Sequence, residues 1–463
     1  MILRLGAGVL LMAALGFLSL LVVVFSAVSL KIAAVLVPAL AIGAFLALNP
    51  FVGLVLLLLF AQLDAVANIV SQSLPISFYK LLTVATLGGY GLMSYLLAPG
   101  DRLGQRSVAI KLALLFALAM GLSMLLADYK AAAISHMIGF LSVMLLLFLI
   151  PALTDRPWKL EALAWTLVAS GGISGLVVLI DTFLGIRLLS TADAAATAQF
   201  EGQARSAGAS DFNPTTASHM LLATTVIAGV MFVSHPRWRL LSGGALLVGV
   251  PALVLTFARS AAIAFAVVAV IFAWHNRHHR MFPFIVLCGL AAAAAVIPFV
   301  PELYWERLGT MINIEADRTL LRRISYNLIG LDLLAQHPLL GVGPGNFPLH
   351  YAGDEYRWFP GREPLPRQLH NSYLEVAAEM GLLGLTLFVG VMVASLRQGI
   401  SAVTAAVAPV SPLARAFVYG FAAFLVASIF MPNEDTKFMW ILPGLCLAAA
   451  QLATAGPHAP RGG

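Results

Sequence analysis

Three side chains in this sequence have the types and settings to do chemistry: His370, Arg259 and Arg205. His370 stands where a long polar interval re-enters an apolar helix, at the head of "HNSYLEVAAEMGLLGL". Ser372 and Glu375 have the S-x-x-E spacing of a capping box, which predicts Ser372 as the N-cap and puts His370 just before the first turn. There the positive end of the helix dipole disfavours protonation of an imidazole and favours a nearby phosphate. The position suits a base working on a phosphorylated substrate; the plainer alternative is a hydrogen-bonded interfacial histidine. Arg259 interrupts the apolar run "LVLTFARSAAIAF", where an unpaired charge costs on the order of several kcal/mol, so it wants a partner. Its plainer alternative is a snorkelling or helix-end anchor. Arg205 lies in "RSAGASDFNP". A guanidinium grips phosphate with two parallel hydrogen bonds, which the point charge of lysine does not. Two such arginines beside a histidine would make a diphosphate and acceptor site.

The elements that must position these residues are membrane helices. The chain is 60% hydrophobic and 10% charged, where soluble domains carry about 25% charged residues. This is the composition of an all-α polytopic membrane protein. A span needs about 20 apolar residues, so the chain has room for about 12–14 transmembrane helices. Cys288 and Cys446 both fall in apolar runs, which excludes a disulfide framework or a cysteine metal cluster. The net charge of +6 is spread over short loops and reads as a topology signal, not a nucleic-acid surface.

Along the chain, an uncharged run over 5–30 reads as a retained first span. The stretch 32–62 reads as two shorter spans broken at Asn49-Pro50. Further spans are predicted near 78–97, 108–126, 134–153, 160–184, 216–233, 240–257, 260–274 and 282–300, then near 372–396, 413–430 and 438–453. This divides the chain into helices over 1–300 with a polar loop at 185–215, a long loop over 301–371, and C-terminal helices with a short tail over 372–463. The densest short-loop basic charge lies at 98–107, 235–239, 275–280 and Arg397, so these belong in the cytoplasm. Both termini then fall on the cytoplasmic side, and 185–215, the turn at Arg259 and 301–371 share the opposite face.

Within the long loop, Leu320, Leu321, Ile324, Leu328 and Leu331 are spaced for one apolar helical face, with Arg318, Arg322 and Arg323 on the other side. This predicts an amphipathic helix over 318–336 lying on the membrane surface. Tyr351, Tyr356, Trp358 and Phe359 read as interfacial anchors. "GVGPGN" at 341–346 follows helix and not strand, so it is a turn and not a nucleotide loop. Gly381 and Gly384 read as permitting close helix contact. No Walker motif, H-E-x-x-H or D-x-D occurs on the outer loops, so no cofactor or metal is indicated and the donor must arrive activated.

"LLAQHPLLGVGPGNF" and "HNSYLEVAAEMGLLGL", preceded by "TFARSAAIAF" and "RSAGASDFNP", resemble the O-antigen ligase and polysaccharide polymerase superfamily of bacterial inner-membrane proteins over roughly residues 200 to 390. The resemblance implies a GT-C-like helical glycosyltransferase. Its donor would be a glycan on undecaprenyl diphosphate, transferred at the periplasmic face without metal to a sugar hydroxyl acceptor. His370 matches the catalytic histidine, and Arg205 and Arg259 match the two diphosphate-binding arginines. Arg322, Tyr373 and Glu375 are candidates for acceptor contact or structural support. The "PN" usual after the first arginine is reversed here as Asn213-Pro214. A lipid-linked oligosaccharide flippase would also need arginines and many helices, but the distinctive residues cluster at one surface. Between Pro301 and Leu369 seven arginines face eight carboxylates, which leans toward a mostly uncharged glycan acceptor, hence a polymerase, over a ligase using a phosphorylated lipid A core.

Overall fold

A computed structural model describes residues 43–71, 77–97, 107–186, 188–189, 205–210, 213–234, 236–278, 318–359, 361–362, 365–405 and 407–454, with the isolated positions 283, 287 and 298. The span expected over 5–30, the part of 32–62 up to residue 42, nearly all of the basic loop at 98–107, most of 185–204, nearly all of 282–300 and the segment 301–317 lie outside the described residues. In chain order the helices are α1 (Pro50–Gln62), α2 (Asp64–Ser71), α3 (Phe78–Leu97), α4 (Val108–Leu126), α5 (Lys130–Met144), α6 (Leu146–Leu153), α7 (Pro157–Leu184) and α8 (Pro214–Ser234). They continue with α9 (Arg239–Leu255), α10 (Arg259–Asn276), α11 (Arg318–Gln336), α12 (Phe347–Ala352), α13 (Ser372–Thr404), α14 (Val410–Ala427) and α15 (Lys437–Thr454). Nine segments among the described residues are long and apolar enough to cross a membrane, or ten if the bent pair α1 and α2 counts as one. The protein is an all-α polytopic membrane protein.

The breaks follow local chemistry. Pro50 opens α1 with Asn49 ahead of it, as proline does at a first helical position. The polar patch expected after α1 is itself helical: α2 turns away by 102° at Leu63. Asn213 accepts hydrogen bonds from Thr215 N and Thr216 N at 2.9 and 3.0 Å, so the Asn-Pro order is a cap followed by a proline at the first turn of α8.

Burial ranks the helices. In α8 and α15, 83% and 78% of the spanning window is buried, against 22% in α10. The first two form the middle of the bundle, and peripheral side chains such as Leu240 and Leu247 on α9 stay exposed, as lipid-facing residues do. Phe116, Phe140, Phe388 and Trp440, all buried, pack together in tilted, edge-on and stacked pairs with centroids 5.6 to 6.3 Å apart. They lock α4, α5, α13 and α15 together.

The helix directions sort the connections between two ends. Arg237 pairs with Glu161 near the start of α7, and Gln398 near Arg397 bonds Ser107 at 3.0 Å. The start of α7 therefore lies beside the end of α8, and the start of α4 beside the last turns of α13. The starts of α8, α10, α13 and α15 and the α9–α10 turn gather at the opposite end, with α11 and α12 over them.

Two features join the long loop to α13. The packed side of α11 carries Ser325, Tyr326, Ile329 and Leu333, all buried, while Ile324, Leu328 and Leu331 are exposed. The helix is thus held to α13 by one face and keeps its apolar stripe outward. Gly381 breaks α13 with φ 65 and ψ −172. A Cβ there would collide with the backbone of Leu339, and one on Gly384 would meet Met380 of its own helix, so Gly381 serves a loop contact and Gly384 an intrahelical one. The broken turn is repaired by that loop: Leu382 N donates to Pro338 O at 2.8 Å, Val342 N to Ala378 O at 3.0 Å, and Gly343 N to Glu379 O at 2.9 Å. Buried backbone groups demand such partners, above all in a membrane.

Candidate active site

His370 is seated by the start of α13. The N-cap is Asn371, whose side chain accepts from Tyr373 N and Leu374 N at 3.1 and 3.2 Å. Ser372 was the residue expected to cap. As the first helical residue its hydroxyl instead accepts from Asn433 N at 2.7 Å and donates to Met431 O at 2.9 Å. Asn371 wins because its longer side chain reaches the second and third amides from one position earlier. Glu375 completes a reach-back of the capping-box kind, accepting from Leu369 N at 3.2 Å. His370 is thereby pinned between a capped helix and a tethered residue, with φ 64 in the left-handed region. Non-glycine residues held there concentrate at functional sites.

The imidazole lies against α11. Tyr326 packs edge-on against it with centroids 5.1 Å apart. Burial, then Arg323, Arg367 and Arg322, push the His370 pKa down to about 3. The ring is therefore neutral at physiological pH, and Nδ1 is buried with no hydrogen-bond partner among the described residues. A neutral imidazole with a lone pair available, facing arginines, can receive a proton or hold a hydroxyl.

Arg205 is buried, with Nε donating to Thr256 O at 2.8 Å and Nη2 to Thr215 Oγ1 at 3.3 Å. The 205–210 segment dips into the bundle: Ala209 N donates to Ser174 Oγ at 3.1 Å, within α7, and Ala65 N donates to Ala209 O at 3.2 Å. Arg259 is the first residue of α10, after the α9–α10 turn in which Phe257 has φ 54. A cation at a helix N-terminus is disfavoured by the dipole unless an anion sits beside it. Thr256, to which Arg205 is tied, and Arg259 belong to the same turn, so both arginines share one corner. Arg205 and Arg323 both lie within electrostatic reach of His219, and Arg323 also reaches His370. Arg205, the turn at Arg259, the start of α13 and α11 thus lie at one end of the bundle, and this end is the candidate locus.

Arg322 faces this locus. Tyr373 does not: its hydroxyl donates to Leu425 O at 2.8 Å and its ring packs on Phe388. Glu375 acts on the backbone before His370. In the sequence Arg323 stands with Arg318 and Arg322 on the polar side of the helix, Arg367 counts only toward the charge balance of the loop, and His219 has no assigned role. Arg323 was legible as the neighbour of Arg322 on the polar side of α11; His219 and Arg367 carried no local signal.

No curated protein matches the chain. Residues 244–389 match the family described as O-Antigen ligase, a stretch containing Arg259, Arg322, Arg323, Arg367, His370 and the Gly381 break, with Arg205 upstream of it. Over this segment, about a third of its length, the chain is similar to the O-Antigen ligase family.

Proposed function

We propose that the protein transfers a glycan from a polyprenyl diphosphate, in its biological setting undecaprenyl diphosphate, to a sugar hydroxyl at the periplasmic face of the bacterial inner membrane. The observation that carries this reading is His370: neutral, left-handed in φ, with Nδ1 lacking a hydrogen-bond partner among the described residues, and ringed by arginines. Arg205 and Arg259 hold the diphosphate. The acceptor oxygen attacks the anomeric carbon, the bond from that carbon to the diphosphate oxygen breaks, and the acceptor proton passes to His370. The arginines stabilise charge growing on the departing polyprenyl diphosphate. The negative charge of a diphosphate held by Arg205 and Arg259 would offset the field of Arg323, Arg367 and Arg322 at His370, so donor binding makes the imidazole a stronger base. The chain's own residues supply this chemistry, and the reading assigns no metal or other cofactor.

The even balance of the loop as a whole supports a mostly uncharged acceptor, hence joining of repeat units. A second reading, ligation to a phosphorylated lipid A core, is favoured by the local placement of Arg322, Arg323 and Arg367 around His370. Purified protein given only lipid-linked repeat units decides between them. A ladder of longer lipid-linked chains supports polymerisation, and product only after core is added supports ligation. No transfer under either condition, with folded protein, overturns the glycosyltransferase reading.

A further inference from the structure

Behind the arginine corner lies a buried hydrogen-bonded chain that the proposed reaction does not use. His219 on α8 is fully buried, with Nε2 2.8 Å from Ser260 Oγ and Nδ1 3.0 Å from Asn433 Nδ2. Asn433 N donates to Ser372 Oγ at 2.7 Å, and Ser372 N donates to Ser428 O at 3.0 Å. Ser260 directly follows Arg259, and Ser372 lies two residues after His370. One imidazole therefore links the helix that begins with Arg259 to the segment that carries His370.

The proton positions follow from the network. Ser428 Oγ donates to Phe424 O at 2.7 Å, so toward Asn433, 3.1 Å away, it offers a lone pair. The atom of Asn433 facing both Ser428 and His219 is then the amide nitrogen. His219 Nδ1 accepts from it, Nε2 carries the ring proton, and Ser260 Oγ receives that proton's hydrogen bond. Each partner fixes the next, and the imidazole has one orientation and one tautomer.

We propose that His219 is a positioning residue that holds the Arg259 helix and the His370 segment in register, so that leaving group and acceptor hydroxyl meet at reacting distance. This rests on the reading of Arg259 and His370 given above. A misplacement of about 1 Å between reacting groups costs roughly 100-fold in rate, whereas polar links between membrane helices contribute little to stability on average. Catalysis is therefore far more sensitive to this link than folding is.

The test uses the full chain in nanodiscs, with transfer measured on lipid-linked repeats and binding measured with farnesyl diphosphate. His219→Phe keeps the volume and removes both hydrogen bonds. It is expected to lower kcat by about 100-fold while farnesyl diphosphate affinity and thermal stability stay close to wild type. His219→Gln, which retains an amide donor and acceptor, is expected to recover part of the rate. Ser260→Ala breaks only one link and is expected to lower kcat with affinity unchanged; adding it to His219→Phe should cost nothing more. Wild-type kcat in His219→Phe, or in Ser260→Ala if the first variant does not accumulate, overturns the proposal. So does a kcat loss in His219→Phe matched by an equal loss of folded protein, with no recovery in His219→Gln. Arg259→Ala is the separate control: wild-type farnesyl diphosphate affinity there overturns the diphosphate reading, while impaired affinity there with full activity in His219→Phe overturns only the register.

Discussion

Tyr326 meets the ring of His370 edge-on at 5.1 Å and meets Tyr351 at the same spacing. Through these contacts the packed face of α11 braces the proposed base, and buried Tyr351 and Phe347 of α12 back the brace. Removing the ring should release His370 from its strained backbone conformation. Tyr326→Ala is expected to destabilise the protein by about 3 kcal/mol, as aromatic truncations in cores do, and to lower kcat further than its folded fraction explains. Tyr326→Phe keeps the ring contact and should cost much less; steady-state rates normalised to folded protein check both.

The depressed pKa of His370 fixes a pH signature. The kcat/KM profile reports the free enzyme, in which the imidazole stays neutral down to about 3, so it should show no histidine limb between pH 5 and 8, a window of about three units around the ordinary value. The kcat profile reports the donor complex, and its acidic limb should lie at higher pH. Arg323→Gln should raise the limb in kcat/KM. In stability the sign is the same: the unfolded chain takes up a proton near the ordinary value of 6.5 and the folded one does not until about 3, so stability falls as pH drops through that window. A limb of kcat/KM near 6.5 would contradict the assignment.

Arg205 and Arg259 should not tolerate lysine. Lysine keeps the charge but loses the fork and, at 205, the fixed bond from Nε to Thr256 O. Either lysine variant is expected to weaken farnesyl diphosphate binding by about tenfold or more, nearly as much as alanine does. Binding isotherms measure this directly, and wild-type affinity in Arg259→Lys would refute the fork.

Gly381→Ala should be among the most damaging single changes in α13. Its φ of 65 excludes an ordinary side chain, and the new Cβ would strike the Leu339 backbone. A cost of at least about 2 kcal/mol is expected from the backbone conformation and collision together, with loss of transfer because the 338–343 loop separates from the helix. Thermal unfolding and activity of the same preparation check it.

Sidedness can be read with single cysteines at exposed positions of opposite ends. Glu355→Cys is expected to react with an impermeant thiol reagent applied from the periplasm, and His278→Cys is not. The reverse pattern would invert the topology.

Much of this protein is written in one dimension. Apolar runs bounded by Asn49-Pro50, Asn213-Pro214 and short basic loops foretell helices such as Val108–Leu126 and Pro214–Ser234 almost to the residue, because in a membrane each span must satisfy its own backbone and its length is set by the bilayer. His370, Arg205 and Arg259 stand out for the same reason: polar groups at the edge of hydrocarbon are costly enough to be conspicuous. What the chain does not display locally is pairing across distance. Ser372 looks like the cap, and only the loop at Met431 and Asn433, arriving from beyond α14, reveals why its hydroxyl is used elsewhere. "GVGPGN" and Gly381 read as two separate glycine features, yet each supplies the hydrogen bonds the other's backbone lacks. His219 is one polar residue in a buried helix until Ser260 and Asn433 come to its two nitrogens. Such contacts depend on which helices are neighbours, a property of the packed bundle that spacing along the sequence does not encode.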